Sequence, residues 1–347
     1  MKAAKLLLLS VSVFSFLSCS SFLKYQKTKE FENKEFEKKV VIVETEAPKE
    51  DAPEAGPAPA PAPEAAKEEV KTAKKPVAKK AVKKKTAKAA VVAVPLTRQP
   101  DIEDSDGFEN QRRPPTDPFR VGEKVVHAVT YLGATAGHLT LSVKPFAVVN
   151  GKKSYNFNIE VKSTSFFSKV FAVDDEIQTY VDFESLVPHA YKLNIHDAYQ
   201  VKEAQSYFDN ESLRADYWEH KFTEKGGHEE KKQNWAILPY SQNPFSAIFY
   251  MRVFNWTVGK DYVFRVADDE KNVEFKAHAL GKEVLNTEAG TFNTIKLKAE
   301  VVSRGKLKAT DFYLWISDDS RKYVLRIDVK LPVGTLTSEA IKIQEGK

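Results

Sequence analysis

The stretch VGEKVVHAVTYLG, residues 121–133, sets β-branched and aromatic side chains between turn formers at a period of two, the pattern of a strand with one buried face. HLTLSVKPFAVV (138–149) repeats it, and the two read as a pair joined through Ala136 and Gly137. SYNFNIEVKST (154–164) follows the turn formers Asn150 and Gly151, and EIQTYVDFE, HAYKLNIHDA, YQVKEAQSYFD and SLRADYWEHKF continue in the same manner to Phe222. The pattern predicts a run of antiparallel strands.

One stretch breaks the alternation. In NPFSAIFYMRVFNW (243–256), Asn243 can cap, Pro244 suits the first helical position, and Phe245, Ile248, Phe249 and Val253 recur at helical spacing. Tyr250, Met251 and Phe254 make the segment apolar nearly all round, so a buried helix that plugs or crosses the β structure is expected. Strands resume at DYVFRVADD and run to GTLTSEAIKI, with turns expected at 268–272, 303–306 and 317–321 and no internal repeat. The expected fold is mainly β: an antiparallel β-roll or barrel-like domain with one short buried helix.

Working outward, the composition changes at Asp117. From Pro118 to the end lie all four tryptophans and near-balanced charge, 31 Lys and Arg against 30 Asp and Glu. Residues 118–347 read as one folded domain large enough to bury a core. Residues 20–117 read as a disordered linker rich in Ala, Pro, Lys and Glu. Within it, 47–66 favours extended polyproline II, and Val40 to Val43 offers a short strand or a sticky patch. The block bounded by Lys67 and Lys88 holds ten lysines and two acids. Such a block attaches electrostatically to an anionic surface, peptidoglycan or anionic lipid, or serves as a solvated spacer.

Residues 1–19 read as a lipoprotein-type signal peptide. Lys2 and Lys5 precede an apolar run from Leu6 to Leu17, about half of the roughly 20 residues a membrane span needs. The single cysteine of the chain, Cys19, stands where such a signal places its lipidated thiol. Cleavage after Ser20, which would discard Cys19, is the alternative. Lipidation implies a membrane partner reached through the anchor, a periplasmic location in the cell envelope and, with Ser20 after the cysteine, the outer membrane. Export makes nucleic acid a poor partner, and no thiol is left for a disulfide or a cysteine metal site.

Several short motifs then fall in order: Phe119-x-Val121-Gly122-Glu123, Tyr131-Leu132-Gly133, Ala136-Gly137, Pro244-x-Ser246-Ala247-Ile248-x-Tyr250-x-Arg252, Gly290-x-Phe292-x-Thr294 and Trp315-x-Ser317-Asp318-Asp319 with Arg321. Together, over about 118–343, they resemble the bacterial domain-of-unknown-function 3108 family. The resemblance implies an envelope-located, mostly antiparallel β domain and implies no activity.

Candidates for chemistry are sparse. The seven histidines are scattered, with no helical His pair around a glutamate, and no Gly-x-Ser-x-Gly elbow or phosphate loop occurs; neither metal nor cofactor is expected. Asp174-Asp175-Glu176, Asp268-Asp269-Glu270 and Asp318-Asp319 could supply paired carboxylates for glycan or lipid hydrolysis, although strand-end aspartates more often make turns. Asp318 and Asp319, after the aromatic strand 312–315, are the catalytic candidates. Arg252, either a structural ion pair or an anion-binding group, and Trp315 are the ligand-binding candidates. The leading expectation is a non-enzymatic envelope lipoprotein whose tethered β domain binds a lipid-like or glycan ligand or a partner. The alternatives are a cell-wall tether acting through the lysine block and a carboxylate-based hydrolase.

Overall fold

The strands form where the alternation places them. The computed structural model describes residues 31–45, 112–114, 116–169, 171–303 and 306–347, with side chains apart from those of 303 and 306–311. The expected signal peptide, Cys19 and the lysine block lie outside the described residues.

A short N-terminal arm, α1 (Lys34–Lys39) and β1 (Ile42–Glu44), comes first. The meander then runs through β2 (Lys124–Tyr131), β3 (Ala134–Val149), β4 (Lys152–Ser163), β5 (Asp174–Asp182), β6 (Pro188–His196), β7 (Gln200–Asp209), β8 (Arg214–Thr223) and β9 (Gly227–Ala236). After α2 (Ser246–Tyr250) come β10 (Asp261–Asp268), β11 (Lys271–Thr287), β12 (Gly290–Ser303), β13 (Lys306–Ser317), β14 (Val324–Lys330) and β15 (Thr335–Gln344). All pair antiparallel in the order 10-11-12-13-14-15-2-3-4-5-6-7-8-9, so the last strand lies against the first of the meander, with β1 beside β3.

The sheet curls until its two edges meet. No ladder joins β9 to β10, but Lys231 pairs with Asp269 at 2.9 Å, and Asn272 bonds the Ala236 carbonyl and the Leu238 amide. Gln242, in the connection after β9, bridges β10 by exchanging backbone bonds with Arg265 and Ala267, both 2.8 Å. The outer edge of β9, away from β8, reads His-Glu-Glu-Lys-Lys and is exposed, the charged guard that keeps a free edge from recruiting another strand.

Inside the curl, Tyr155, Phe157, Ile159, Ile177, Tyr191 and Phe208 share one buried core with Ala247, Phe249 and Tyr250 of α2. As the apolar pattern of 243–256 predicts, α2 is a plug: Phe249 is 1 % exposed and stacks on Phe157 at 4.2 Å with the rings 6° apart. Asn243 caps it, its side-chain oxygen accepting from the amides of Phe245 (2.9 Å) and Ser246 (2.7 Å). The helix is shorter than the stretch suggests. A 3-10 turn, Met251–Val253, follows, and Phe254 is already extended at φ −81° and ψ 146°.

Two expectations need correcting. The first hairpin does not turn at Ala136-Gly137 but at Leu132-Gly133, both at positive φ (51° and 79°), the two-residue turn that matches strand twist. Gly137 lies inside β3, where a Cβ would stand 2.6 Å from the Lys162 carbonyl oxygen.

The second correction concerns the linker. Residues 31–45, inside the stretch 20–117 read as disordered, are folded onto the outer face of the sheet. Ile42, Val43 and Glu44 pair with Val149, Val148 and Ala147. Phe36 (3 % exposed) and Val40 (5 %) pack among Tyr180, Ala190 and Trp218. Lys39 bonds Asp216 at 2.6 Å, and Glu44 accepts from Tyr180 and Gln178. Arg112 and Arg113 are likewise bound, Arg112 to the Ser185 carbonyl and the Tyr250 hydroxyl, Arg113 over the Phe183 ring at 3.6 Å. Burial of apolar surface outweighed the charge of this segment.

Apart from the connection between β9 and β10, which carries α2, the strands are joined by hairpins or short loops, so the turns alternate between two ends. The Phe166 end carries the turns after β2, β4, β6, β8, β10 and β14; the Asn150 end carries those after β3, β5, β7, β11 and β13.

Candidate functional site

The motif residues meet in one buried knot. Arg252, 4 % exposed at its side chain, forks onto Glu123, 2 % exposed, at 2.5 and 3.1 Å. Its remaining donors reach the carbonyls of Pro118 and Arg321, and its guanidinium lies over the rings of Phe119 and Tyr323 at 5.0 and 5.2 Å. Arg321 adds a second cation to Glu123 at 2.6 Å and holds the Glu345 carbonyl. The segment that leads into β2, the plug, the β13–β14 turn and the C-terminal segment are thus tied through one carboxylate. Such a bidentate pair with its other donors satisfied is an arrangement for holding structure; of the two readings of Arg252, the geometry matches the structural ion pair.

The other candidates do not converge on it as a reaction centre. Asp319 caps its own turn, accepting from Ser317 Oγ and the amides of Arg321 and Lys322. Asp318 is exposed and paired with Lys282 at 2.6 Å. Trp315 is 5 % exposed on the outer face, its indole N–H bonded to Glu283 and its ring between Lys296 (4.7 Å) and Arg326 (5.0 Å).

Two further polar groupings stand out, the first drawing on the acidic runs 174–176 and 268–270 named from the sequence, the second not foreseen there. Toward the Phe166 end, the interior holds Glu219, bonded by Tyr217 and paired with Lys202 at 3.6 Å, and Asp268, whose carboxyl burial pushes up to about 6. Asp175, at the same end, is pushed up to about 7 by burial against a single bond from the His196 amide. At the Asn150 end a hollow of about 460 Å³ is lined by Lys152, Lys153, Phe183, Ser185, Asn210 and the Asp182–His189 pair, 3.2 Å apart. Ser185 Oγ donates to Asp182, not to the histidine, so no activated nucleophile is built there. Among the described residues no group of three His, Cys, Asp or Glu is placed to hold a metal.

His127 is fully buried beside Val125, Leu325 and Ala340, and burial pushes its imidazole down to about 4. A depressed folded value means that its contribution is intact above the unfolded value near 6.5 and is lost as pH falls toward 4, on the order of 3 kcal/mol in full. Asp175 works the other way, since a raised carboxyl favours folding at low pH and its contribution is lost as pH rises from about 4 to 7. Urea unfolding from pH 4.5 to 8 is therefore expected to show a shallower acid limb for His127→Leu and a higher stability near pH 8 for Asp175→Asn. Unchanged profiles in both variants would contradict these assignments.

The chain belongs to the family described as protein of unknown function DUF3108, whose model matches residues 126–341. The mostly antiparallel β fold expected from its motifs is the fold observed. No curated protein matches the chain. Among solved structures it is similar to a β-barrel-like protein of the DUF1849 family from Brucella abortus, at 7 % identity and a TM-score of 0.43 over 66 % of this chain and 99 % of that one. It is also similar to a candidate lipoprotein from Parabacteroides distasonis (12 %, TM-score 0.31, 66 % and 99 % covered). A protein with YmcC-like fold from Bacteroides fragilis is a third (10 %, 0.30, 66 % and 98 %).

Proposed function

We propose that the protein is a non-enzymatic cell-envelope lipoprotein, anchored through an acylated Cys19, whose β domain binds a partner or ligand through its outer surface and ends rather than through an interior cavity. The observation that carries this reading is the filled interior: α2 and the rings of Phe157, Phe249, Tyr250, Phe254 and Phe264 occupy the space a lipid-like ligand would need. The dispersed Asp318 and Asp319 count against the hydrolase.

Cys19→Ala is expected to move the protein from the membrane to the soluble periplasmic fraction, because acyl chains supply most of the affinity of such an anchor. Unchanged partitioning of the variant would overturn the reading.

Cell-wall attachment through the lysine block is a second reading, favoured by where the chain leaves and returns. Thr45, bonded to the Phe146 carbonyl, and Arg112, bonded to that of Ser185, both lie at the Asn150 end. The lysine block lies within the 66 residues between them.

A further inference from the structure

The docked arm changes what the anchor can do. Had all of 20–117 been a tether, the domain could work far from its membrane. With the chain fastened to the sheet from Phe31 onward, only eleven residues separate Cys19 from the fold, at most about 40 Å even when fully extended.

The arm also has a direction. Phe31 packs against His220, near the β8–β9 turn; Glu35 bonds Trp218; Lys39 bonds Asp216; and Val41 exchanges bonds with Asn150. The chain therefore arrives at the Phe166 end and runs toward the Asn150 end. Strands of about ten residues make the barrel roughly 33 Å long, so placing the Asn150 end at the membrane would use nearly the whole reach.

The two ends differ in chemistry in the matching sense. At the Phe166 end the loop tips carry Phe166, 74 % exposed, Leu132 (68 %), Tyr199 (56 %) and Val333 (51 %). They are neighbours: Tyr131 bonds the Val333 carbonyl at 2.6 Å, Thr164 bonds the Ala136 carbonyl, and Phe171 packs on Tyr199 at 5.4 Å. The turns of the Asn150 end present Asn150, Glu184, Glu211, Glu288, Asp318 and Asp319, with Val258, 45 % exposed, in the longer connection before β10 and Val41, 60 % exposed, in the arm beside Asn150. Apolar and aromatic tips on a rim that a short lipid anchor holds at a bilayer are placed to enter the headgroup region.

We infer that the Phe166 end is a membrane-docking surface: Leu132, Phe166, Tyr199 and Val333 contact the lipid bilayer that holds the anchor, and the Asn150 end faces away from it. The inference rests on the Cys19 anchor of the proposed function. Because Cys19 is the only cysteine and acylation consumes its thiol, a fluorophore can be placed through Phe166→Cys or Glu211→Cys in the full acylated chain.

In vesicles of phosphatidylethanolamine and phosphatidylglycerol containing nitroxide-labelled lipid, the probe at 166 is expected to shift to the blue and to be quenched several-fold more than the probe at 211. Equal quenching at both positions, stronger quenching at 211 or none at either would overturn the inference. If the mass of the native protein shows Cys19 unacylated, the anchor itself fails. The same probe pair in the Cys19→Ala chain at 1 M salt, where charge attraction is screened to about 3 Å, then decides the docking surface: preference for 166 upholds it, and no preference overturns it.

Discussion

Arg252→Ala is expected to cost about 3–5 kcal/mol of stability, because it leaves Glu123 buried with half of its compensation gone. Glu123→Gln is expected to do similar damage from the other side, leaving Arg252, 4 % exposed, without its carboxylate. Arg252→Lys should restore little, since an ammonium cannot fork onto Glu123 and also reach the carbonyls of Pro118 and Arg321. The double variant Glu123→Leu/Arg252→Met, which removes both charges at once, should lie above either single loss. Urea unfolding of the four variants measures the order. Single variants at wild-type stability would show that the pair ties nothing together.

The second large effect is expected at the arm. Phe36→Ala removes a ring packed edge-on against Trp218 at 6.1 Å, in a class of substitution that costs about 3–5 kcal/mol when the site is fully buried. The loss should be local as well as global. Release of the arm uncovers Tyr180, Ala190 and Trp218 and breaks the bonds of Glu44 to Tyr180 and Gln178. Hydrogen exchange in Phe36→Ala should therefore quicken in 31–45 and along the Val148 edge of β3 before it quickens in β11 and β12. Uniform quickening, or none, would mean that the arm is not an independent unit laid on a finished sheet.

The strands were legible because one face of each is buried, so that apolar residues recur at a period of two. The plug was legible for the opposite reason, being apolar all round. The arm was not: KEFEKK offers only Phe36, too short a segment to hold a helix by itself, and its order comes from the tertiary contacts of Phe36, Val40 and Glu44. Arg112 and Arg113 were lost for a related reason, because a change in composition marks where a core becomes dense and not where the first bonded residue lies.

Gly137 misled because a glycine that lets a neighbouring carbonyl approach looks, in one dimension, like a glycine that turns the chain. At the site, Glu123, Arg252 and Arg321 were all visible as motif members, yet 129 residues separate Glu123 from Arg252. Their convergence belongs to the topology, and it turns a motif that could have been read as chemistry into a fastening of the fold.

The measurement that tests the account most directly is the intact mass and N-terminal peptide of the native protein taken from its own envelope. The account predicts a mature chain that begins at Cys19 and carries acyl chains on that residue, with the β domain then held to the bilayer by a link of eleven residues. A mature chain beginning after Ser20, unmodified and recovered in the soluble fraction, would contradict it.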